Sequence, residues 1–175
     1  MTLDIILDAD PEWDSNTRWD ELARSAATAA IAESAFPQLA RGPRAVEISL
    51  RLAGDDEVRL LNAQWRGKDK PTNVLSFPMA EGAELASAAA ANDGTTTPEL
   101  MLGDIILAHG VCGREAADKA VPIERHAAHL MVHGTLHLLG YDHADDGQAA
   151  DMEAREVRAL ARLGISNPYQ LEAHG

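Results

Sequence analysis

Cysteine is almost missing from this chain. Cys112 stands alone, so no disulfide can close within it, and the composition suits a reducing cytoplasm. No apolar run approaches the roughly eighteen residues that a membrane span requires. The first residues, M-T-L-D-I-I-L-D-A-D-P-E-W-D, are acidic and broken by Pro11, without the basic start of a signal peptide. Aromatic residues are scarce too, with 3 Trp, 2 Tyr and 2 Phe, so core packing has first claim on most of them. Positive charge is the last shortage. Lys and Arg number 15 against 28 Asp and Glu, a net charge of −13. That excludes a duplex-coating protein, which needs a broad basic footprint. At 175 residues, the expectation is one soluble, cytoplasmic domain spanning 1–175, large enough to bury a core without staples.

What positive charge there is clusters. Acids crowd the N-terminus (Asp4, Asp8, Asp10, Glu12, Asp14) and a late stretch (Asp145, Asp146, Asp151, Glu153, Glu156), whereas Arg66, Lys68 and Lys70 fall together mid-chain. An acidic shell around a small cationic focus suits an enzyme that grips a few phosphates.

The pattern of elements reads as α+β. Residues 3–7 predict a short strand, and 18–35 a helix with Leu22, Ala26, Ala29, Ala30 and Ile31 at helical spacing, stopped by Pro37. Residues 45–52 alternate apolar and polar, as a half-buried strand does. Asp55 is placed to cap a helix over 56–65 that turns Val58, Leu61 and Trp65 inward. N-V-L-S-F at 73–77, bounded by Pro71 and Pro78, reads as an edge strand, and L-G-D-I-I-L-A at 102–108 as a central one. Helices follow at about 110–120, 122–139 and 147–163, with Pro122 in the first turn of the second. The Ala-rich stretch 80–100, bracketed by Gly82, Asn92, Gly94 and Pro98, reads as a loop excursion inside the domain.

The run H-G-T-L-H-L-L-G-Y-D-H carries the strongest chemical signal. His133 and His137 are four apart, one turn above each other on a helix face. Gly140 allows a left-handed exit that swings His143 back toward them. Three imidazoles so arranged form a metal cup, usually for zinc, one per chain, with water as the fourth ligand. The spacing also belongs to metzincin peptidases, which place Glu directly after the first His; here that position is Gly134, so the peptidase's base is missing. His126 and His129 extend the same helix face. His129 reads as a phosphate contact or alternative ligand, or else as a packed imidazole beside the site.

A second motif, R-G-K-D-K-P-T-N-V-L-S-F-P from Arg66 to Pro78, displays cations at a tight turn next to a strand. Together with L-G-D-I at 102–105 and the histidine run, it resembles the YbeY family, bacterial endoribonucleases of ribosomal RNA maturation. The resemblance extends in order over residues 60–168. It implies a four-stranded sheet flanked by five or six helices, zinc on His133, His137 and His143, a functionally important Arg66, and partners including the small ribosomal subunit and a ribosome-associated GTPase.

The residues support such chemistry on their own terms. Three-histidine zinc brings the pKa of a water to about 7 and so lessens the need for a protein base. Arg66 can grip a phosphodiester oxygen with its planar fork, in geometry that Lys lacks. Candidate catalytic residues are thus Arg66 and His133. Candidate RNA contacts are Arg66, Lys68, Lys70, Asn73, Ser76 and His129. Asp104, Asp142, Asp145 and Asp146 are open to capping or surface roles as much as to proton transfer. The competing functions are a metzincin-like metallopeptidase and a ribosome-assembly factor whose metal is structural.

Overall fold

The computed structural model describes residues 3–40, 45–80, 85 and 100–168. Apart from its two end residues and Leu85, the stretch 80–100 lies outside the described residues. Strands β1 (Leu3–Ala9), β2 (Val46–Ala53), β3 (Val74–Pro78) and β4 (Leu100–Ala108) form one mixed sheet in the order β1-β2-β4-β3. β1, β2 and β4 run parallel, and β3 is an antiparallel edge strand. The helices are α1 (Trp19–Ala32), α2 (Asp55–Arg66), α3 (His109–Asp118), α4 (Ile123–Leu138) and α5 (Asp146–Arg162), with a 3-10 turn at Pro37–Ala40. The α+β class, the central β4 and the edge position of β3 match the sequence reading. Pro122 sits one position earlier than expected, as the N-cap of α4.

Period-two alternation gives the sheet two unlike faces. Val46, Ile48, Leu50 and Leu52 of β2 are buried together with Leu3 of β1 and Ile105 and Leu107 of β4. This face carries the main core. α4 lies within it, packed against α1, α3, α5, β3 and β4, which explains why that helix is buried nearly all round. Truncating a fully buried residue there, such as Leu136, is expected to cost about 2–5 kcal/mol. The opposite face holds a smaller cluster of Ala53, Val58, Leu75, Ile106 and Ala108 under α2, and among the described residues no other helix covers that face.

Two expectations on α2 need correction. Trp65 is not turned inward but 63% exposed. It falls on the stripe of Val58 and Leu61, yet α2 packs chiefly on β4, and its last turn overhangs edge strand β3 with no further strand beneath. Asp55 does not cap α2, whose N-cap is Gly54 without a side-chain bond. Its carboxylate instead accepts from the Val111 amide at 3.1 Å and pairs with Arg114 at 3.2 Å. A carboxylate there satisfies a free amide at the start of α3 and ties two helix starts together.

Candidate metal centre

α4 positions two imidazoles and its exit positions the third. His133 and His137 lie one turn apart, and the helix closes with the amides of Gly140 and Tyr141 donating to His137 and Leu136 carbonyls. Gly140 has φ +97°, a conformation that side-chain-bearing residues rarely adopt. The chain then folds back, and the His143 amide donates to Asp142 Oδ1 at 2.8 Å. One ring nitrogen from each of His133, His137 and His143 lies within 4.8 Å of the others.

Hydrogen bonds on the far sides of two rings decide where their protons are. His137 Nδ1 is 2.8 Å from the Tyr141 carbonyl, which can only accept, so the proton is on Nδ1. His133 Nδ1 likewise donates to the Glu156 carboxylate. In neutral rings both Nε2 atoms are then bare lone pairs, and they face each other at 3.0 Å. Two such lone pairs repel unless a cation lies between them. Tetrahedral zinc–imidazole bonds would set nitrogens about 3.4 Å apart, between the 3.0 Å of this pair and the 4.8 Å limit of the triad. The donor set fits a metal ion. Burial, reinforced by neighbouring His133, pushes the His137 imidazole down to about 4, so it is neutral and able to ligate at pH 7.

Glu156 was not singled out by sequence reasoning. It is 1% exposed, contacts His133, and lies 3.9 Å from His129. A carboxylate behind a ligating imidazole fixes the ring and raises its basicity. Its position was readable: Met152, Glu156, Ala159 and Leu160 share the buried stripe of α5, and an acid on such a stripe needs a partner.

The three histidines open onto a groove of about 710 Å³ that Arg66 and Ser76 also line. Arg66 ends α2, where Gly67 and Lys68 amides return to Ala63 and Asn62 carbonyls. The following turn is pinned from within: buried Asn62 donates to the Lys70 carbonyl at 2.8 Å, and Arg59 pairs with Asp69 at 2.8 Å. Arg66 itself is exposed and has no carboxylate partner among the described residues. Lys68 and Lys70 are exposed on the turn, outside the groove lining. Asn73 lines the groove, but its amide is engaged, donating to Glu115 at 3.0 Å and accepting from Val74.

His126 and His129 lie behind the groove. His126 is buried and bonded to Glu115 at 2.8 Å, and His129 lines a neighbouring cavity of about 500 Å³. Burial drives the His129 imidazole down to about 4, against the pull of Glu156, so it is uncharged at neutral pH. Tyr141 is held by the Ala35 amide on its hydroxyl and by Arg155 over its ring. Asp145 caps α5 through the Gln148 amide at 2.7 Å, and Asp104 lies on the opposite sheet face. Buried Cys112 has its thiol pushed up to about 12 and is inert. Gly134 matters through its neighbours: a Cβ there would meet Ile105 Cγ2 at 3.0 Å and Ser76 Oγ at 3.2 Å. The space that a peptidase's Glu would occupy is filled.

Fold and site together describe an α+β protein whose three clustered histidines could hold a metal ion, with the cationic Arg66 lining the same open groove. The family model for Endoribonuclease YbeY matches residues 9–164. Curated relatives called Endoribonuclease YbeY include one from Rhizorhabdus wittichii, 50% identical over 97% of this chain and 98% of its own. Another, from Sphingopyxis alaskensis, is 52% identical over 90% and 91%. A protein of Thermotoga maritima solved in solution shares the fold with a TM-score of 0.52 at 20% identity, each chain 91% covered. This chain belongs to the YbeY endoribonuclease family.

Proposed function

We propose that the protein is a zinc-dependent endoribonuclease that cleaves single-stranded RNA, with ribosomal RNA as its substrate in the cytoplasm. The observation that carries this reading is a single groove holding three convergent histidines and an unpaired Arg66. His133, His137 and His143 would hold the metal, which when bound supplies Lewis acidity toward water and a phosphoryl oxygen.

The remaining work belongs to the chain's own residues. Glu156 and the Tyr141 carbonyl keep the His133 and His137 protons on Nδ1 and aim both Nε2 atoms at the cup. Arg66 grips a non-bridging oxygen of the scissile phosphate, where charge develops on attack. Ser76 donates from the groove wall, and Asn73, whose amide is already engaged, shapes that wall. Lys68 and Lys70 hold flanking phosphates from the turn outside. His129, neutral and buried, supports Glu156 and His133 instead of contacting phosphate.

With net charge −13, the protein makes few phosphate contacts of its own. We therefore assign recruitment to the small ribosomal subunit, with a ribosome-associated GTPase as a further partner. No described helix is long and apolar enough to cross a membrane.

The test is cleavage of a defined single-stranded RNA by zinc-loaded protein, with product ends mapped and added small subunits as a second arm. Arg66→Ala should lower kcat/KM by about 100-fold and Arg66→Lys should recover only part of it, since Lys lacks the bidentate fork. Equal rates for Arg66→Ala and the parent would sink the role of Arg66. Absence of cleavage with subunits present would favour an assembly factor with a structural metal.

A further inference from the structure

Edge strand β3 separates two hollows. On its α4 side lies the groove with the histidines. On the other side, the open sheet face forms a trough of about 600 Å³. Trp65 and Phe77 line both, so the two hollows share these rings as a common wall. The rings of Trp65 and Phe77 meet edge to face at 6.1 Å and 63°. Met79, two residues on from Phe77, and Ile6, at the far β1 end of the trough, are also more than half exposed. An indole left in water next to Arg66 is apolar surface without a cover, and the groove leads a strand of RNA directly to it.

The floor of the trough has a different chemistry. Asp104 pairs in register with Ser49 and Phe77 and faces the trough. Gly103 sets this geometry: its φ is +144°, and a Cβ there would lie 2.2 Å from the Phe77 carbonyl oxygen. Among the described residues, no hydrogen bond or ion pair engages the Asp104 carboxylate. The guanidinium that shares the trough, Arg51, is taken by Asp8 at 3.2 Å, Asp10 at 3.1 Å and Glu57 at 2.9 Å. An open carboxylate between apolar walls repels phosphate and asks for N–H donors on a flat apolar body. In RNA, that body is a base.

We propose that this trough is a nucleobase subsite of the RNA-cleaving groove. Trp65 and Phe77 receive the face of a base flanking the scissile phosphate, and Asp104 accepts hydrogen bonds from its edge. The inference rests on the RNA-cleaving reading and adds a base preference to it. Guanine presents adjacent imino and amino donors that match two carboxylate oxygens, whereas uracil flanks its one N–H with carbonyls that the carboxylate repels. Adenine and cytosine, with an amino group each, fall between.

Trp13 and Trp19 are buried, so quenching of tryptophan fluorescence by RNA reports on Trp65. The experiment titrates the zinc-loaded full chain with oligouridine, and with the same oligomer carrying one guanosine at successive positions. Both quenching and cleavage kinetics are read. At one register the guanosine oligomer should quench and bind about ten-fold tighter than oligouridine. Asp104→Asn should erase that difference with an unchanged melting temperature. Trp65→Leu should raise KM about ten-fold with little change in kcat, and Trp65→Phe should restore it. Fluorescence unmoved at saturating RNA, or a guanosine preference that survives Asp104→Asn, overturns the subsite. If Asp104→Asn fails to fold, the Trp65 arm decides alone. Quenching and base preference without cleavage would sink the nuclease reading and leave the subsite standing; cleavage without either would do the reverse.

Discussion

Helix α4 carries four histidines along one face, and its two halves use them in opposite ways. In the first half, His126 and His129 are buried, His126 is tied to Glu115, and the cavity they line is not the groove that Arg66 lines. In the second half, His133 and His137 give their Nδ1 protons to Glu156 and the Tyr141 carbonyl and turn bare Nε2 atoms toward His143. Spacing and residue type are shared, so neither makes the difference. What separates the halves is the ring's second partner: a carbonyl or carboxylate on one side and an open cup on the other. An imidazole becomes a ligand when its proton is held away from the cup.

The sharpest way to break this comparison is to remove one histidine from each half. His137→Ala should abolish zinc binding and lower RNA cleavage by at least about 1,000-fold, because the cup loses a ligand. His126→Ala should keep one zinc per chain and instead lose about 1–3 kcal/mol of stability, because Glu115 loses its buried partner. Zinc content by atomic absorption and denaturant midpoints check both; equal zinc loss in the two variants would erase the distinction.

Acid should expose the buried half next. The His129 imidazole titrates at about 4 in the fold against an ordinary 6.5. Between those values the unfolded chain binds the extra proton and the folded one does not, so stability falls as pH drops from about 6.5 toward 4. The full window corresponds to about 3 kcal/mol for this one residue in metal-free protein. Because His137 titrates in the same window in metal-free protein, His129→Gln should remove about half of that slope, and an unchanged slope would show that His129 is not held neutral.

How far the sequence reached follows from which partners are local. The histidine triad was legible because a four-residue step and a glycine exit are short-range geometry, β2 from its alternation and β4 from its apolar run. Glu156 was missed because its partner His133 is on another helix and its neighbourhood is a run of acids; only its place on the stripe of Met152, Ala159 and Leu160 marked it. Asp55 sits before an apolar helical stripe and so resembles a cap, but the amide it meets is Val111, 56 residues away. Trp65 obeys the helical period that should bury it; only the end of the sheet beneath α2 leaves it in water. Each miss depends on what lies opposite the residue in space, far from it in sequence.

The hidden partner can be tested directly. Glu156→Gln keeps size and one acceptor oxygen but removes the charge behind His133, and should weaken zinc affinity about 10- to 100-fold with the fold intact. Competition against a chromogenic chelator measures it. Unchanged affinity would mean that α5 merely packs on the site.

The smallest effect separates the position of α5 from the charge it carries. Asp145 holds the first turn of α5 by accepting from the Gln148 amide at 2.7 Å, while Glu156 lies three turns further on. Asp145→Ala should cost about 1 kcal/mol of stability, the usual loss for an N-cap. Because α5 is also anchored by buried Met152, Ala159 and Leu160, fraying of its first turn should not reach Glu156. Zinc affinity and cleavage should therefore stay within about two-fold of the parent. A larger drop in zinc affinity than in stability would place Asp145 in the site itself and move the boundary of the metal centre to the start of α5.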